Sequence, residues 1–534
     1  MEERRRYLID AKALVTLESR NPVLWEHSLL VENGRIVDMR PTGLFGSVNA
    51  ERLGGFTAIA LPGFVNAHTH SQQNLDRGTW DTLPLEVWMT DNILRPKTFA
   101  EDSLEVNVLL GCADMIKSGV VAVVDHLRAG MKWEEDLQRA VYAYQKSGMR
   151  GLLAVSLTDK PYYEAVPEEL VFPSEIRKAL KVKARQGTWN RQALMELARF
   201  CALSTNDRVS LGLGPSTPER CSNEILQIIG SLCKEFNLPI HFHLLESKCE
   251  LITMQRRFGK PPVRKLEEFN LLKSRTSVAH AVWLSDEDMD ILAENGVTVT
   301  LCPVSNLKLG SGVPRVAEMR NRDLSITLGT DGAATSDSQN IFRTITLTAL
   351  LERSTCDDYG YWIRALDVLK MATGYKNRNQ WLCGGAPLRV GGRADIIILN
   401  VGESYSPVNN PVNHLVYVED GSTVDTVLID GEVVMKNRKI LTFNEEAVRR
   451  RASEIVEERL ERLAEESSYP ERKTSGQQGA DPGLEPRRGR MRSDGTSKGK
   501  TILSEKLYEA YIEAMTELKE SGGLYGNKDS WYQR

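Results

Sequence analysis

Alternating hydrophobic and polar positions mark both ends of the main body of the chain. HSLLVENGRIVDMR sets Asn33-Gly34 between two such runs, and VDTVLIDGEVVMKN repeats the arrangement around Asp430-Gly431. A period of two marks strands with one buried face, and Asn-Gly or Asp-Gly supplies the positive φ values of a tight hairpin. Residues 1–58 and 389–443 are therefore predicted to form one small composite β-sandwich domain, with GRADIIILN (392–400) as a further strand.

Between these ends the period changes. Eight short, continuously apolar runs follow one another: AIALPGFVNAHTH, VVAVVDH, RGLLAVSL, VSLGLGPS, PIHFHLLES, SVAHAVWL, VTVTLCPVS and SITLGTDG. Continuous apolarity fits parallel strands buried on both faces. The pieces between them, such as LEVNVLLGCADMIKSG and SDEDMDILAENG, carry apolar residues at helical spacing with Gly at the stop. Eight β/α alternations predict a (β/α)₈ TIM-like barrel over residues 59–388. The connection 158–208 is long and holds Tyr162, Tyr163, Phe172 and Trp189. Two readings of it stand open, an active-site lid or a surface excursion with a helix over 190–203.

Beyond the barrel, NEEAVRRRASEIVEERLERLAEE predicts one amphipathic helix over 444–466 with Asn444 as its cap. Residues 467–500 are poor in apolar residues and rich in Gly, Ser, Pro and Arg, the composition of a flexible linker. Residues 501–534 hold a C-terminal helix and tail, with Leu503, Leu507, Ala510, Ala514 and Leu518 on one stripe. That helix is too short to stand alone in water and is expected to dock on the barrel or on a neighbouring subunit of a homo-oligomer.

Composition narrows the function. The 68 Lys and Arg against 72 Asp and Glu leave a net charge of −4, which argues against a nucleic-acid partner. No run of ~18 apolar residues is present, so no membrane partner is expected. The basic start lacks the apolar core of a signal peptide. Eight Cys without a CxxC suit a reducing, cytoplasmic location better than a disulfide framework.

The chemistry gathers at strand ends. His68 and His70 close the first barrel strand on one side of it, His241 and His243 close the fifth, His280 ends the sixth, and Asp331 ends the eighth. The C-terminal mouth of such a barrel carries the active site. Imidazoles with one carboxylate suit Zn²⁺ or Fe²⁺. A single HxH is weak evidence, since two His bonding backbone carbonyls would look the same. Five His and an Asp at one mouth favour a metal. His27 and His414 belong with the β domain and have no assigned role. His126 follows the second strand, where packing or support behind the site competes with a place in it.

LPGFVNAHTHSQQNLDRG, HFHLLES, HAVWLSDEDMDIL, CPVSNLKLGSG and LGTDGAATSDSQNIF resemble the amidohydrolase superfamily. The closest resemblance is to its cytosine-deaminase-like, chlorohydrolase and S-adenosylhomocysteine/methylthioadenosine deaminase branch, over roughly residues 5–465. The resemblance implies one divalent metal, zinc with iron as the alternative, held by His68, His70, His243 and Asp331. It makes Glu246 the proton shuttle and His280, in protonated form, an electrophilic partner beside the metal-bound water. Two-metal members use a carboxylated Lys on strand four, and VSLGLGPS has none.

The implied reaction is hydrolysis of a C–N bond other than a peptide bond, with water as co-substrate. The metal lowers the pKa of its water from about 15.7 toward ~7, and the hydroxide attacks an amidine-type carbon of a small molecule. Deamination of an aminated purine, pyrimidine or triazine is the leading expectation. A methylthioadenosine-type nucleoside deaminase and a dechlorinating or amide-cleaving hydrolase are the alternatives. A non-catalytic structural relative is the rival from another class, but such proteins lose ligands and this chain keeps them.

Two positions depart from the nucleoside-processing pattern. The acidic residue that binds ribose is matched to Val87, with Glu86 one residue away, and the His after strand four is replaced by Ser216. A ribose-free heterocycle is expected on that ground, with Glu86, Ser216, Trp88 and His126 as candidate substrate contacts.

Overall fold

A computed structural model of the protein describes residues 5–18, 20–95, 100–128, 132–184, 189–356, 358–375, 387–402, 406–468 and 502–520. The expected linker beyond Ser468 and the tail beyond Glu520 lie outside the described residues. The first four strands are β1 (Arg6–Val15), β2 (Val23–Glu32), β3 (Arg35–Pro41) and β4 (Glu51–Pro62). The next eight are β5 (Phe64–Thr69), β6 (Val120–Leu127), β7 (Arg150–Leu157), β8 (Val209–Pro215), β9 (Ile240–Leu244), β10 (Thr276–His280), β11 (Thr298–Leu301) and β12 (Ser325–Leu328). The last four are β13 (Ile396–Asn400), β14 (Val424–Ile429), β15 (Glu432–Lys436) and β16 (Lys439–Ile440).

β5 to β12 pair in chain order as a parallel sheet. The backbone N–H of Asp331 donates to the carbonyl of His68 at 3.0 Å and ties the end of the eighth strand to the first. This is the eight-stranded barrel. Its connecting helices follow the local signals: Ser285 and Asp288 exchange side-chain and backbone bonds in a capping box at the head of helix Asp286–Glu294, and Gly296 at φ +65° lies just beyond its end.

The other eight strands form one mixed sheet in the order β16-β15-β14-β13-β4-β1-β2-β3, drawn from both ends of the chain. Ile36 of β3 exchanges backbone bonds with Gly391 and Gly392, so the sheet folds back on itself. One apolar cluster, including Ile9, Leu29, Ile36, Ile396 and Leu428, fills the fold. The two predicted hairpin turns touch. Asn33-Gly34 and Asp430-Gly431 all have positive φ, and a Cβ on Gly34 would lie 2.7 Å from the Asp430 carbonyl oxygen. At the joint with the barrel, Arg150 of β7 grips Asp395 with two bonds of 2.8 and 2.6 Å, both side chains buried. Within the span 389–443, His414 lies on a helix, Pro411–Tyr417, that packs on barrel helices.

The long connection divides. Helix Arg191–Ser204 packs against β8 and helix Asn223–Glu235, while Tyr162, Phe172 and helix Ser174–Ala184 lie at the barrel mouth against helix Leu85–Leu94. Helix Glu445–Ser468 starts after Asn444, whose side chain accepts the Ala447 N–H at 3.0 Å, and it packs on helix Ser103–Lys117. The C-terminal helix Ile502–Glu520 docks on helix Leu85–Leu94 of its own chain. Among the described residues no helix is long and apolar enough to cross a membrane.

Candidate metal centre and active site

The strand ends bring His68, His70 and His243 together so that one ring nitrogen from each lies within 4.8 Å of the others. Asp331 Oδ1 lies 3.3 Å from His68 Nε2 and 3.4 Å from His70 Nε2. Each imidazole is turned by a partner behind it. His70 Nδ1 donates to the His126 carbonyl (2.8 Å), and His243 Nδ1 donates to the Ser216 carbonyl (2.6 Å). His68 Nδ1 meets His241 Nε2 (2.7 Å), and His241 Nδ1 meets Ser277 Oγ (2.6 Å). The carbonyls assign the proton to Nδ1 and leave Nε2 of His70 and His243 as bare lone pairs, 3.0 Å apart.

Two acceptors facing at that distance repel, and His68 Nε2 is buried with no hydrogen-bond partner. A cation bound to all three removes both costs, so the donor set fits one divalent metal. Burial favours the neutral form of His68, His241 and His243. It lowers His68 to about 4 and pulls His243 and His241 well below the usual range. Burial works to raise Asp331, but the approach of His68 at 3.3 Å and the neighbouring His70 and His280 outweigh it and hold the carboxyl well below the usual range. Thr335 Oγ1 and the Gly332 N–H bond the two carboxylate oxygens of Asp331. A second group within the same 4.8 Å limit, His68, His280 and Cys302, shares His68.

β8 carries Gly where other strands carry side chains for a packing reason. A Cβ on Gly214 would come within 1.8 Å of the His241 carbonyl oxygen, so the backbone of β9 can approach only a glycine. Non-glycine residues in the left-handed region cluster at the mouth: Leu245 at φ +49°, His280 at +69° and Asp331 at +61°. Such conformations persist where the surroundings over-determine them, and they concentrate at functional sites.

Glu246 and His280 face each other, His280 Nε2 lying 3.5 Å from Glu246 Oε2. Ser311 Oγ donates to Glu246 Oε1 (3.3 Å), and Asn306 Oδ1 accepts from His280 Nδ1 (2.8 Å). Burial, with the negative charge of Asp331 nearby, raises Glu246 well above the ordinary carboxylate range, and burial lowers His280. Ser311 and Asn306 both lie in the quoted CPVSNLKLGSG stretch, but neither is singled out by the sequence. His241 was placed among the mouth residues, and it sits behind His68 instead.

The outer mouth holds the candidate substrate contacts. Glu86, on the first turn of helix Leu85–Leu94, is buried and accepts the Ser247 hydroxyl at 2.6 Å, one residue from Glu246. Val87 points away, into an apolar cluster with Ile93, Tyr162 and Leu507. Glu86 therefore faces Ser247, and Val87 faces the apolar cluster. Trp88 stacks edge-on with Trp80 beside Leu309 and Ala334, its Nε1 buried without a partner. Ser216 gives its carbonyl to His243, and its hydroxyl accepts from Arg220 (3.2 Å). His126 is buried 4.8 Å from the His243 ring, with neither ring nitrogen bonded.

A barrel with imidazoles and a carboxylate at its C-terminal mouth defines a metal-assisted hydrolase. The sequence profile of the amidohydrolase family matches residues 59–434, and the chain belongs to that family, as a hydrolytic enzyme acting on C–N bonds. It is 33% identical over 423 residues to a 5'-deoxyadenosine deaminase of Methanothermobacter thermautotrophicus, covering 79% of this chain and 92% of that one. It is 30% identical over 470 residues to a 5-methylthioadenosine/S-adenosylhomocysteine deaminase of Caldicellulosiruptor saccharolyticus, covering 86% and 99%. Among solved structures, a zinc-bound adenosine deaminase from Xanthomonas campestris shares the fold at TM-score 0.74 and 22% identity, covering 85% of this chain and 98% of that one. An atrazine chlorohydrolase from Arthrobacter aurescens complexed with zinc does so at 0.73 and 20%, covering 84% and 100%.

Proposed function

We propose that the protein hydrolytically deaminates an adenosine-type nucleoside, replacing the ring amino group by oxygen and releasing ammonia. The observation that carries this reading is Glu86. A buried carboxylate is costly unless donors surround it, and Glu86 is met by the Ser247 hydroxyl at 2.6 Å and by the weakly donating Cys249 thiol, which leaves it capacity for further donors. Two vicinal sugar hydroxyls are the donors that a carboxylate accepts in pairs. A ribose-free heterocycle, favoured from sequence because Val87 was matched to this position, brings no such donors. The relatives named for 5'-deoxyadenosine and methylthioadenosine deamination support the same substrate class.

His68, His70, His243 and Asp331 would hold the metal, zinc by preference and iron as the alternative with the same donors. When bound, it supplies a water activated for attack on carbon. Glu246 takes one proton of the attacking water and delivers it to the ring nitrogen beside the reacting carbon, then carries the water's second proton to the amino group, which leaves as ammonia when the C–N bond breaks. A carboxyl raised above its ordinary range by burial suits transfer in both directions. His280, held by Asn306, orients that exchange through its Nε2. Trp88 offers an unpaired N–H at the pocket wall, Ser216 fixes His243, and His126 backs the metal ligands. Cys112, Cys201, Cys221, Cys233, Cys249, Cys302 and Cys356 are free thiols, in keeping with a reducing cytoplasm.

The test is Glu86→Gln in the metal-loaded enzyme. Weakening charge-assisted bonds to the sugar should reduce kcat/KM for 5'-deoxyadenosine about 10- to 100-fold, mostly through KM. Unchanged kcat/KM in that variant removes Glu86 from substrate binding and the nucleoside reading with it.

A further inference from the structure

We infer that the C-terminal helix Ile502–Glu520 is a wall of the active site, in which Tyr511 and Met515 limit the substituent a nucleoside carries at the end remote from its reacting carbon. The inference rests on the nucleoside reading above.

The helix lies outside the family match, which ends at residue 434. It docks through Leu507, Ala514 and Leu518, all buried. Leu507 and Ala514 join Val87, Ile93, Tyr162 and Phe172 in an apolar cluster at the mouth, distinct from the barrel core. Residues 507, 511, 514, 515 and 518 fall on one face at spacings of three and four. Tyr511 packs against the cluster, whereas Tyr508 and Ile512 are 42% and 46% exposed.

Tyr511 and Met515 reach the residues around Glu86. Met515 Sδ lies 3.8 Å from Cys249 Sγ, and Cys249 follows by two residues the Ser247 that donates to Glu86. Burial raises the Tyr511 phenol, and the negative charge of Glu86 adds to the effect. The order from the metal ligands outward is therefore Glu246, then Glu86 with Ser247, then Cys249, Tyr511 and Met515. A substrate with its reacting carbon at the imidazoles and its sugar on Glu86 points its remaining substituent at this helix. The barrel alone would leave that side without these two side chains, so selectivity for the substituent belongs to the extension of this chain.

The experiment uses the full-length, metal-loaded protein and compares kcat/KM for 5'-deoxyadenosine, methylthioadenosine and S-adenosylhomocysteine. Tyr511→Ala and Met515→Ala should each raise the ratio of the bulkiest substrate to the smallest, by about tenfold for Tyr511→Ala. Tyr511→Phe and the exposed control Tyr508→Ala should keep the wild-type ratio, and all variants should keep their metal. If the wild-type chain turns over nucleosides but the ratio stays unchanged or falls in both alanine variants, the wall assignment is overturned and the nucleoside reading stands. If the wild-type chain turns over no nucleoside, both are overturned.

Discussion

Nε2 of His70 and Nε2 of His243 face each other across 3.0 Å, and each ring has committed its Nδ1 proton to a backbone carbonyl. Neither nitrogen can donate to the other without losing a buried bond. The pair is preorganised for a cation. Metal analysis of protein expressed with excess zinc should give about one ion per chain, because β8 carries no Lys to bridge a second. Chelation should lower the thermal midpoint, since an ion that binds only the folded state stabilises it. Two tightly held ions, or none, would contradict the site as described.

Glu246→Gln separates proton transfer from metal binding. The amide can still accept from Ser311, so fold and metal content should persist. Turnover should fall by ~10²–10⁴-fold, the range for general acid–base catalysis. Near-normal turnover, measured as ammonia release, would take Glu246 out of the reaction.

Asp395 tests the joint between the folded-over sheet and the barrel. Burial works to raise its carboxyl, but Arg150, with Arg393 alongside, outweighs that and lowers it below the ordinary value. A folded-state pKa below the unfolded value of about 3.9 means the contribution is fully present above that value and is lost as pH falls through the folded pKa. Asp395→Asn leaves Arg150 buried without its main partner and should cost about 3–5 kcal/mol near neutral pH. The gap to wild type should narrow as the pH drops below ~4. Urea unfolding curves at the two pH values measure it. A gap that widens in acid would reverse the sign assigned here.

Much of this architecture was legible in the chain. The eight barrel strands announce themselves as continuous apolar runs because both faces of each are covered, and the hairpins do so through Asn33-Gly34 and Asp430-Gly431, which have the positive φ values their residues suit. His68, His70, His243, His280 and Asp331 were legible as a group because the barrel places every strand end at one mouth. The phase of helix Leu85–Leu94 was not. One residue along a helix turns the side chain by roughly 100°, enough to exchange a pocket for a core. Only the packing shows Val87 turned into the cluster and Glu86 turned to Ser247. Depth was equally hidden: alternation puts His241 and His243 on one face, and the contact with His68 shows that His241 supports rather than faces the site. The stripe on the C-terminal helix was visible, but the surface it meets is assembled from residues 87–180 and has no local signature.

The central claim is that a sugar-bearing substrate is recognised through Glu86. The most direct measurement is kcat/KM of the metal-loaded wild-type protein for 5'-deoxyadenosine against the ribose-free bases adenine and cytosine and an aminated triazine, read as ammonia release. Two hydrogen bonds from sugar hydroxyls to a buried carboxylate, at ~1.5–3 kcal/mol each, predict an advantage of at least about a hundredfold for the nucleoside. A free base or triazine turned over as well as the nucleoside, or better, would contradict the account.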